Sequence, residues 1–346
     1  MIKKRKKIIY RAVIIGSGNI GALLEADPLR PKPATYAGAF SRHPDIRLVG
    51  LMDRSVKVLQ KARLLFPAVS TYDQAEECLK REQPDIVAIS TPPNSHYQYL
   101  RLCKKYKVTA VICEKPICHS LLDARRMQRL AKDSKMIILV NHQRRFFELF
   151  RRAQKKIQSG RLGRVRQITA YYSNGMLNNG SHIIDALRFL LQDEIVSVIG
   201  ARNSKNETHP KGDYNIDGIC FFRKGAVATI QSFDQNTYGI HEIRIMGDKG
   251  ALLINKYGFE FNWSRVGAPR LFAGIRELEN TGQIREKNKV GMVKGVVDHL
   301  VSCIHHLEKP LSTIGDATED LVVLSALIKS AKSDGRRILI EHKKII

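Results

Sequence analysis

The 346 residues carry 58 Lys and Arg against 33 Asp and Glu, a net charge of +25, with 43% hydrophobic residues. That apolar share suits buried cores, and the length suits two domains. No apolar run reaches the ~20 residues of a membrane span. Cys78, Cys103, Cys113, Cys118, Cys220 and Cys303 form no C-x-x-C pair and no Cys/His spacing for zinc, so reduced thiols are expected and no metal.

The chain opens on MIKKRKKIIYRAVIIG. Arg11 interrupts the apolar part, and a Gly-rich turn stands where a signal peptide would have its cleavage site. The stretch therefore reads as a basic tail (Lys3, Lys4, Arg5, Lys6, Lys7) leading into a first strand, and the expected location is cytoplasmic. The remaining bases are spread over the chain, with pairs such as Lys104-Lys105 and Arg151-Arg152. No nucleic-acid motif accompanies them, so a nucleic-acid partner is not expected. A solvated basic surface comes first as explanation, and a bias toward anionic substrates second.

From Arg11 the chain runs apolar strand, glycine turn, apolar helix. Gly16, Gly18 and Gly21 make a full G-x-G-x-x-G, with Ser17, Asn19 and Ile20 between. The first glycine allows the tight turn, the second lets a pyrophosphate approach the backbone, and the third lets helix and strand pack. A helix N-terminus would present N–H donors to the phosphates. A second strand over 46–53 ends in Asp53, an acid that can take both ribose hydroxyls and so favours NAD. Arg54 follows, and an arginine there could hold a 2′-phosphate, which keeps NADP open. The spacing from Gly21 to Asp53 is 53 − 21 = 32 residues, against ~20 in the usual fingerprint. The stretch from Asp27, PLRPKPATY, accounts for the excess as a Pro-rich insertion after a short helix.

Further buried strands follow over 85–90, 108–113 and 136–141, separated by helices over 73–81, 96–105 and 121–132. This alternation predicts a doubly wound parallel sheet, an α/β fold, whose ligands bind beyond the C-terminal strand ends. Those ends carry Thr91, Pro92, Asn94 and, just inside the helix, His96; then Glu114 and Lys115; then Asn141, Arg144 and Arg145. Lys115 follows Glu114 and precedes Pro116, and a cis bond there would aim the lysine into the cleft. A lysine beside a nicotinamide polarises a carbonyl or alkoxide by its charge. Asn141, Arg144 and Arg145 are candidates to anchor an acidic group on a substrate.

After Phe146 the pattern changes. A basic helix reaches Gly160, and the residues from 164 to 173 alternate like a half-buried strand. A helix over 180–191 comes next, and then strands over 218–233 and 241–256 with turns at Lys224-Gly225 and Asp248–Gly250. These indicate an antiparallel sheet. Apolar helices near 292–307 and 317–333 close the chain. The expected division is 1–141, a dinucleotide-binding domain, and 142–346, a substrate-binding and oligomerisation α+β domain with C-terminal helices free to pack back on the first.

GSGNIG, the strand-end Asp53, TPPNSH, CEKP, NHQRRF, SGRLG, NNGSH and the tail from STIGDATEDL occur in the order of the Gfo/Idh/MocA oxidoreductases, which the chain resembles over nearly its whole length. The resemblance implies a Rossmann domain followed by an open, mainly antiparallel sheet, with NAD or NADP bound and a sugar-type substrate beside the nicotinamide. It implies a homodimer or homotetramer formed through the open sheet face. It assigns cofactor binding to the glycine loop, Asp53, Arg54, the TPPNSH residues and Glu114. Lys115 would contact both nicotinamide ribose and substrate. The family's helix motif carries Asp and then His four residues on; His182 matches, but the Asp position holds Asn178. Imidazole suits a proton transfer near neutral pH, whereas an amide can only exchange hydrogen bonds. The expectation is therefore His182 as general acid/base, Lys115 assisting by charge, Asn178 positioning substrate, and Asp185 orienting the ring. Asn178 and Asn179 would also serve as helix caps. The functions implied are a sugar, cyclitol or nucleotide-sugar dehydrogenase, a cofactor-retaining sugar-modifying enzyme, or a non-enzymatic NAD(P)-binding sensor.

Overall fold

The computed structural model describes residues 8–203, 209–285 and 290–341, and the basic tail lies outside them. The chain forms two compact units. One runs up to Phe146 and takes in the segment ending at Thr318; the other starts at Phe147 and resumes at Glu319. The division thus falls later than 141/142. The helix Val293–Ile304 belongs to the first unit.

The first unit holds six parallel strands: β1 (Tyr10–Ile15), β2 (Ile46–Met52), β3 (Ser70–Tyr72), β4 (Ile86–Ile89), β5 (Ala110–Cys113) and β6 (Ile137–Val140), in the order β3-β2-β1-β4-β5-β6. β4 and β5 are buried throughout, as strands covered on both faces must be. Helices Tyr36–Arg42 and Val293–Ile304 contribute Tyr36, Phe40, Val296 and Leu300 to the core that covers Ile14, Ile86 and Ile112. The sequence reading named neither β3 nor helix Val56–Leu65, whose Val56 and Leu64 are exposed and whose one buried residue is Ala62.

The helix expected after the glycine turn is split. One turn forms, with Ala22 N–H on the Gly18 carbonyl, and a short 3-10 segment Leu23–Ala26 follows. The chain then leaves on its proline-rich excursion. It returns at Tyr36, whose N–H donates to the Ile20 carbonyl at 3.1 Å, while Ala37 N–H donates to Gly21 at 2.9 Å. In an uninterrupted helix those carbonyls would serve residues 24 and 25. The insertion is therefore 36 − 24 = 12 residues, and removing it from the 32-residue spacing leaves 20, the fingerprint value. The excursion has its own supports. Lys32 Nζ donates to the carbonyls of Glu25 (2.6 Å) and Asp27 (2.7 Å). The Glu25 carboxylate accepts from Ala34 N–H, Thr35 Oγ1 and Arg42. Gly291 N–H donates to the Lys32 carbonyl, and a Cβ on Gly291 would lie 1.9 Å from the Pro33 carbonyl oxygen.

The second unit is built on nine strands: β7 (Val165–Ser173), β8 (Ile195–Arg202), β9 (Ile216–Phe222), β10 (Val227–Phe233), β11 (His241–Gly247), β12 (Gly250–Asn255), β13 (Glu260–Val266), β14 (Leu278–Arg285) and β15 (Ile338–Leu339). Their order is β14-β13-β12-β11-β7-β10-β9-β8-β15. The sheet is mixed and mainly antiparallel. This is the mainly antiparallel sheet expected; its parallel pair is β10 with β7, and alternation reports a half-buried strand but not its direction. Helix Glu148–Gln158 buries Leu149, Phe150, Ala153 and Ile157, and the Phe150 ring meets Phe261 of β13 edge-on.

Candidate functional site

In the first unit, a cleft of about 510 Å³ opens beyond the ends of β1, β2 and β4. It is lined by Gly16, Gly18, Met52, Asp53, Arg54, Ser90, Thr91, Pro92, Asn94, Ser95, Gln98 and Tyr99. The three glycines divide the work as their spacing predicts. Gly16 has φ +94°, and a Cβ there would press on the Ser90 carbonyl. A Cβ on Gly21 would lie 2.1 Å from the Gly16 carbonyl oxygen, so only glycine lets the turn close. A Cβ on Gly18 would meet nothing within 4 Å. Space is thus open where a ligand would approach this backbone. Among the described residues, the N–H groups of Gly18, Asn19 and Ile20 have no acceptor.

Several sequence-derived residues hold this cleft together instead of lining it. Ser17 is fully buried, and its hydroxyl donates to the Met52 carbonyl at 3.1 Å, tying the glycine loop to the strand that delivers Asp53. Ile20 and Gly21 supply the carbonyls that receive the returning helix, and Asn19 is exposed. His96 is 0% exposed, with Nε2 2.7 Å from the Thr91 carbonyl oxygen and Nδ1 3.0 Å from that of Ile117. It therefore clamps the loops after β4 and β5. A neutral imidazole has one N–H for these two acceptors. Burial pushes its pKa down, while both carbonyls favour the charged form. Ser90, Gln98 and Tyr99 were missed. They flank the TPPNSH motif, which itself contains Ser95, and their nearness to a strand end was the available signal.

Glu114 organises the end of β5. Its Oε1 accepts from the Tyr36 hydroxyl (2.7 Å) and from Asn141 Nδ2 (2.7 Å), and its Oε2 accepts from the Lys115 backbone N–H (3.2 Å). Tyr36 is fully buried, and burial followed by the negative Glu114 pushes its pKa well above 10, so the phenol stays a donor. The carboxylate thus acts as a support for the lysine's backbone. Lys115 is half-buried, and its bond to Pro116 is cis, as anticipated. Asn141 is 3% exposed with its NH₂ committed to Glu114, and its Oδ1 has no donor among the described residues.

The arginines after β6 do not stand at an open mouth. Arg144 and Arg145 are each 5% exposed. Arg145 Nη1 donates to Asp316 Oδ1 at 2.8 Å and to the Leu311 carbonyl at 3.1 Å. Burial pushes the Asp316 carboxyl up, but Arg145 and the Thr313 hydrogen bonds outweigh it and hold the pKa at about 2. A carboxyl depressed on folding stabilises the fold above its unfolded pKa near 4 and loses that contribution as pH falls toward 2. Asp316→Asn is thus expected to cost about 2 kcal/mol at pH 7 and to flatten acid unfolding in that window, read from urea titrations between pH 2 and 5.

In the second unit, helix Ser181–Leu191 is buried at every position, His182 at 7% exposure and Asp185 at 1%. The turn before it, Gly175–Gly180, is of the wider π type, so the spacing from Asn178 to His182 crosses a change of helix geometry. Asp213 caps this turn. Its Oδ1 accepts from Leu177 N–H and its Oδ2 from Asn178 N–H, each at 3.0 Å, and Asn215 Oδ1 accepts from Gly175 N–H. The capping expected of Asn178 and Asn179 falls to residues far along the chain. Asn178 instead donates from Nδ2 to the Asn174 carbonyl at 3.1 Å. A carboxylate there would set two acceptors against each other. Asn178→Asp is therefore expected to destabilise by about 1–3 kcal/mol, measured by urea unfolding at pH 7. An unchanged midpoint would contradict this reading of the amide.

The sequence matches known families over both units. Residues 10–142 match the model described as "Oxidoreductase family, NAD-binding Rossmann fold", and residues 150–253 match the "GFO/IDH/MocA C-terminal domain". The chain belongs to the Gfo/Idh/MocA oxidoreductase family. It is similar to an uncharacterised oxidoreductase of Schizosaccharomyces pombe, 30% identical over 44% of this chain and 43% of that protein, so the match spans less than half of that relative's length. It is also similar to the inositol 2-dehydrogenase of Rhizobium meliloti, 29% identical over 69% of this chain and 73% of the other. Among solved structures of the Gfo/Idh/MocA fold, it resembles the WlbA dehydrogenase of Bordetella pertussis in complex with NADH and UDP-GlcNAcA. The TM-score is 0.74 at 18% identity, covering 96% of this chain and 99% of that one.

Proposed function

We propose that the protein is an NAD(P)-dependent oxidoreductase that moves a hydride between the nicotinamide and a hydroxyl-bearing carbon of a sugar, cyclitol or nucleotide-linked sugar. The observation that carries this reading is the cleft beyond β1, β2 and β4. The open space at Gly18, the acceptor-less N–H groups around it and the Asp53 carboxylate fit a pyrophosphate followed by a ribose diol. The acid favours NAD, and Arg54 in the same lining keeps NADP as the alternative. The bound nicotinamide would supply the hydride acceptor or donor.

The chain's own residues then have three tasks. Lys115, on a backbone held by Glu114, stabilises negative charge developing on the substrate oxygen. His182 takes or returns the hydroxyl proton. Asn141 Oδ1, buried and without a donor, accepts from an N–H or O–H of whichever ligand reaches it. Asn178, with one N–H of its amide on the Asn174 carbonyl, exchanges hydrogen bonds only, and no proton transfer runs through it. An inositol 2-dehydrogenase among the relatives and a nucleotide-sugar complex among the similar folds support the substrate class.

A homo-oligomer belongs to the same proposal. One face of the nine-stranded sheet leaves Tyr171, Ile219, Met246 and Leu253 at least partly exposed among Thr169, Thr229 and Arg244, and a second copy would cover them. The reading is tested by the absorbance of reduced nicotinamide, with NAD or NADP and pools of polyols, sugar acids and nucleotide sugars. Reduction with one pool supports it. Silence from every pool, with either cofactor bound, would remove it.

A further inference from the structure

The first unit carries a second depression, on a different face of helix His96–Lys105 from the one that lines the cofactor cleft. Its volume is about 500 Å³, and helix Leu121–Lys132 forms the other wall. Cations dominate the lining: Arg101, Lys104 and Lys105 from one helix, Arg126 and Arg129 from the other, against the single carboxylate of Asp133. Two of the five are partly neutralised. Lys105 pairs with Glu76 at 2.6 Å, and Arg126 with Asp123 at 3.1 Å. Arg101, Lys104 and Arg129 make no ion pair among the described residues. Like charges facing each other across a groove repel, and a multivalent anion between them turns that repulsion into attraction.

We propose that this groove binds an oligophosphate, a linear chain of two or more phosphate groups. The cations stand on both walls, so a chain lying along the groove meets arginine forks from either side, and guanidinium matches phosphate oxygens in pairs. The volume is that of a small-molecule site, and a concave shape suits a short chain better than a flat lipid surface. Tyr97 on the same wall offers a ring on which a nucleobase could stack, so the chain could be inorganic or carried by a nucleoside.

The test is titration calorimetry on the full chain with saturating NAD and NADP, so that the dinucleotide cleft is filled. Tripolyphosphate and ATP are the two probes. One-to-one binding of tripolyphosphate is expected, weakened about tenfold or more in the double variant Arg101→Ser/Arg129→Ser. The control variant Arg152→Ser/Lys155→Ser, on helix Glu148–Gln158, is expected to bind as the parent does. ATP binding more tightly than tripolyphosphate, with the difference lost in Tyr97→Ala, would assign the groove to a nucleoside oligophosphate; equal affinities would assign it to the phosphate chain alone. Equal weakening in both double variants, several ions bound per chain, or no heat from either probe would overturn the proposal.

Discussion

Replacing His182 with alanine is expected to lower turnover by about 10²–10⁴-fold, the range for removing a positioned general acid/base. Asn178→Ala should cost far less, because an amide neither takes up nor releases a proton at neutral pH and one of its N–H groups serves the Asn174 carbonyl. The comparison is made at saturating cofactor with the pool that gives reduction. Both variants must first be shown to unfold at urea concentrations near the parent's, since His182 is buried. Equal losses in the two variants, or a fully active His182→Ala protein, would defeat the assignment of the proton transfer to His182. A large loss in His182→Ala alone would show that the reaction runs without a carboxylate at 178.

The largest effect on stability is expected at Arg188. Its Nη1 lies 2.6 Å from Asp320 Oδ1, and its Nε and Nη2 fork onto Glu194 at 2.7 and 2.9 Å. Burial disfavours its charge, but Asp320 and Glu194 outweigh this and raise its pKa further. The Arg188 and Asp320 side chains are only 5% and 3% exposed. Arg188→Leu takes the arginine away from the buried Asp320 carboxylate, a loss of about 3–5 kcal/mol. The double variant Arg188→Leu/Asp320→Leu should recover most of that loss, because both deeply buried charges are gone and Glu194, 38% exposed, can turn to water. Arg166→Ala breaks a two-pronged ion pair with Asp248 that stands in water, and should leave the urea midpoint nearly unchanged. Similar losses in Arg188→Leu and Arg166→Ala would refute the argument from burial.

Much of the first unit was legible in the sequence. Four-residue apolar runs bounded by turn residues mark strands buried on both faces, and the glycine spacing has one steric solution, which the positions of Gly16, Gly18 and Gly21 reproduce. Helices His96–Lys105 and Leu121–Lys132 fall where the pattern put them. The features that stayed hidden share a cause. β3 is a three-residue edge strand, and in helix Val56–Leu65 the exposed Val56 and Leu64 blur the stripe of Val58, Leu59 and Ala62, so neither shows a clean pattern. The commitment of Arg145 to Asp316 and the capping of residues 177 and 178 by Asp213 join residues 171 and about 35 positions apart. Contacts of that range leave no local signature. An arginine near a strand end reads the same from sequence whether it awaits a substrate or is already paired.

The excursion between Ile20 and Tyr36 enters and leaves a single helix at adjacent points, and the helix resumes its own hydrogen-bond phase afterward. The segment therefore behaves as a cassette. Its length and composition could vary over generations while Gly21 and Asp53 kept their spacing in three dimensions, so nucleotide recognition would place no constraint on it. The demands on its prolines and its lysine clasp come instead from its own turns and from Gly291, which packs against Lys32 and Pro33.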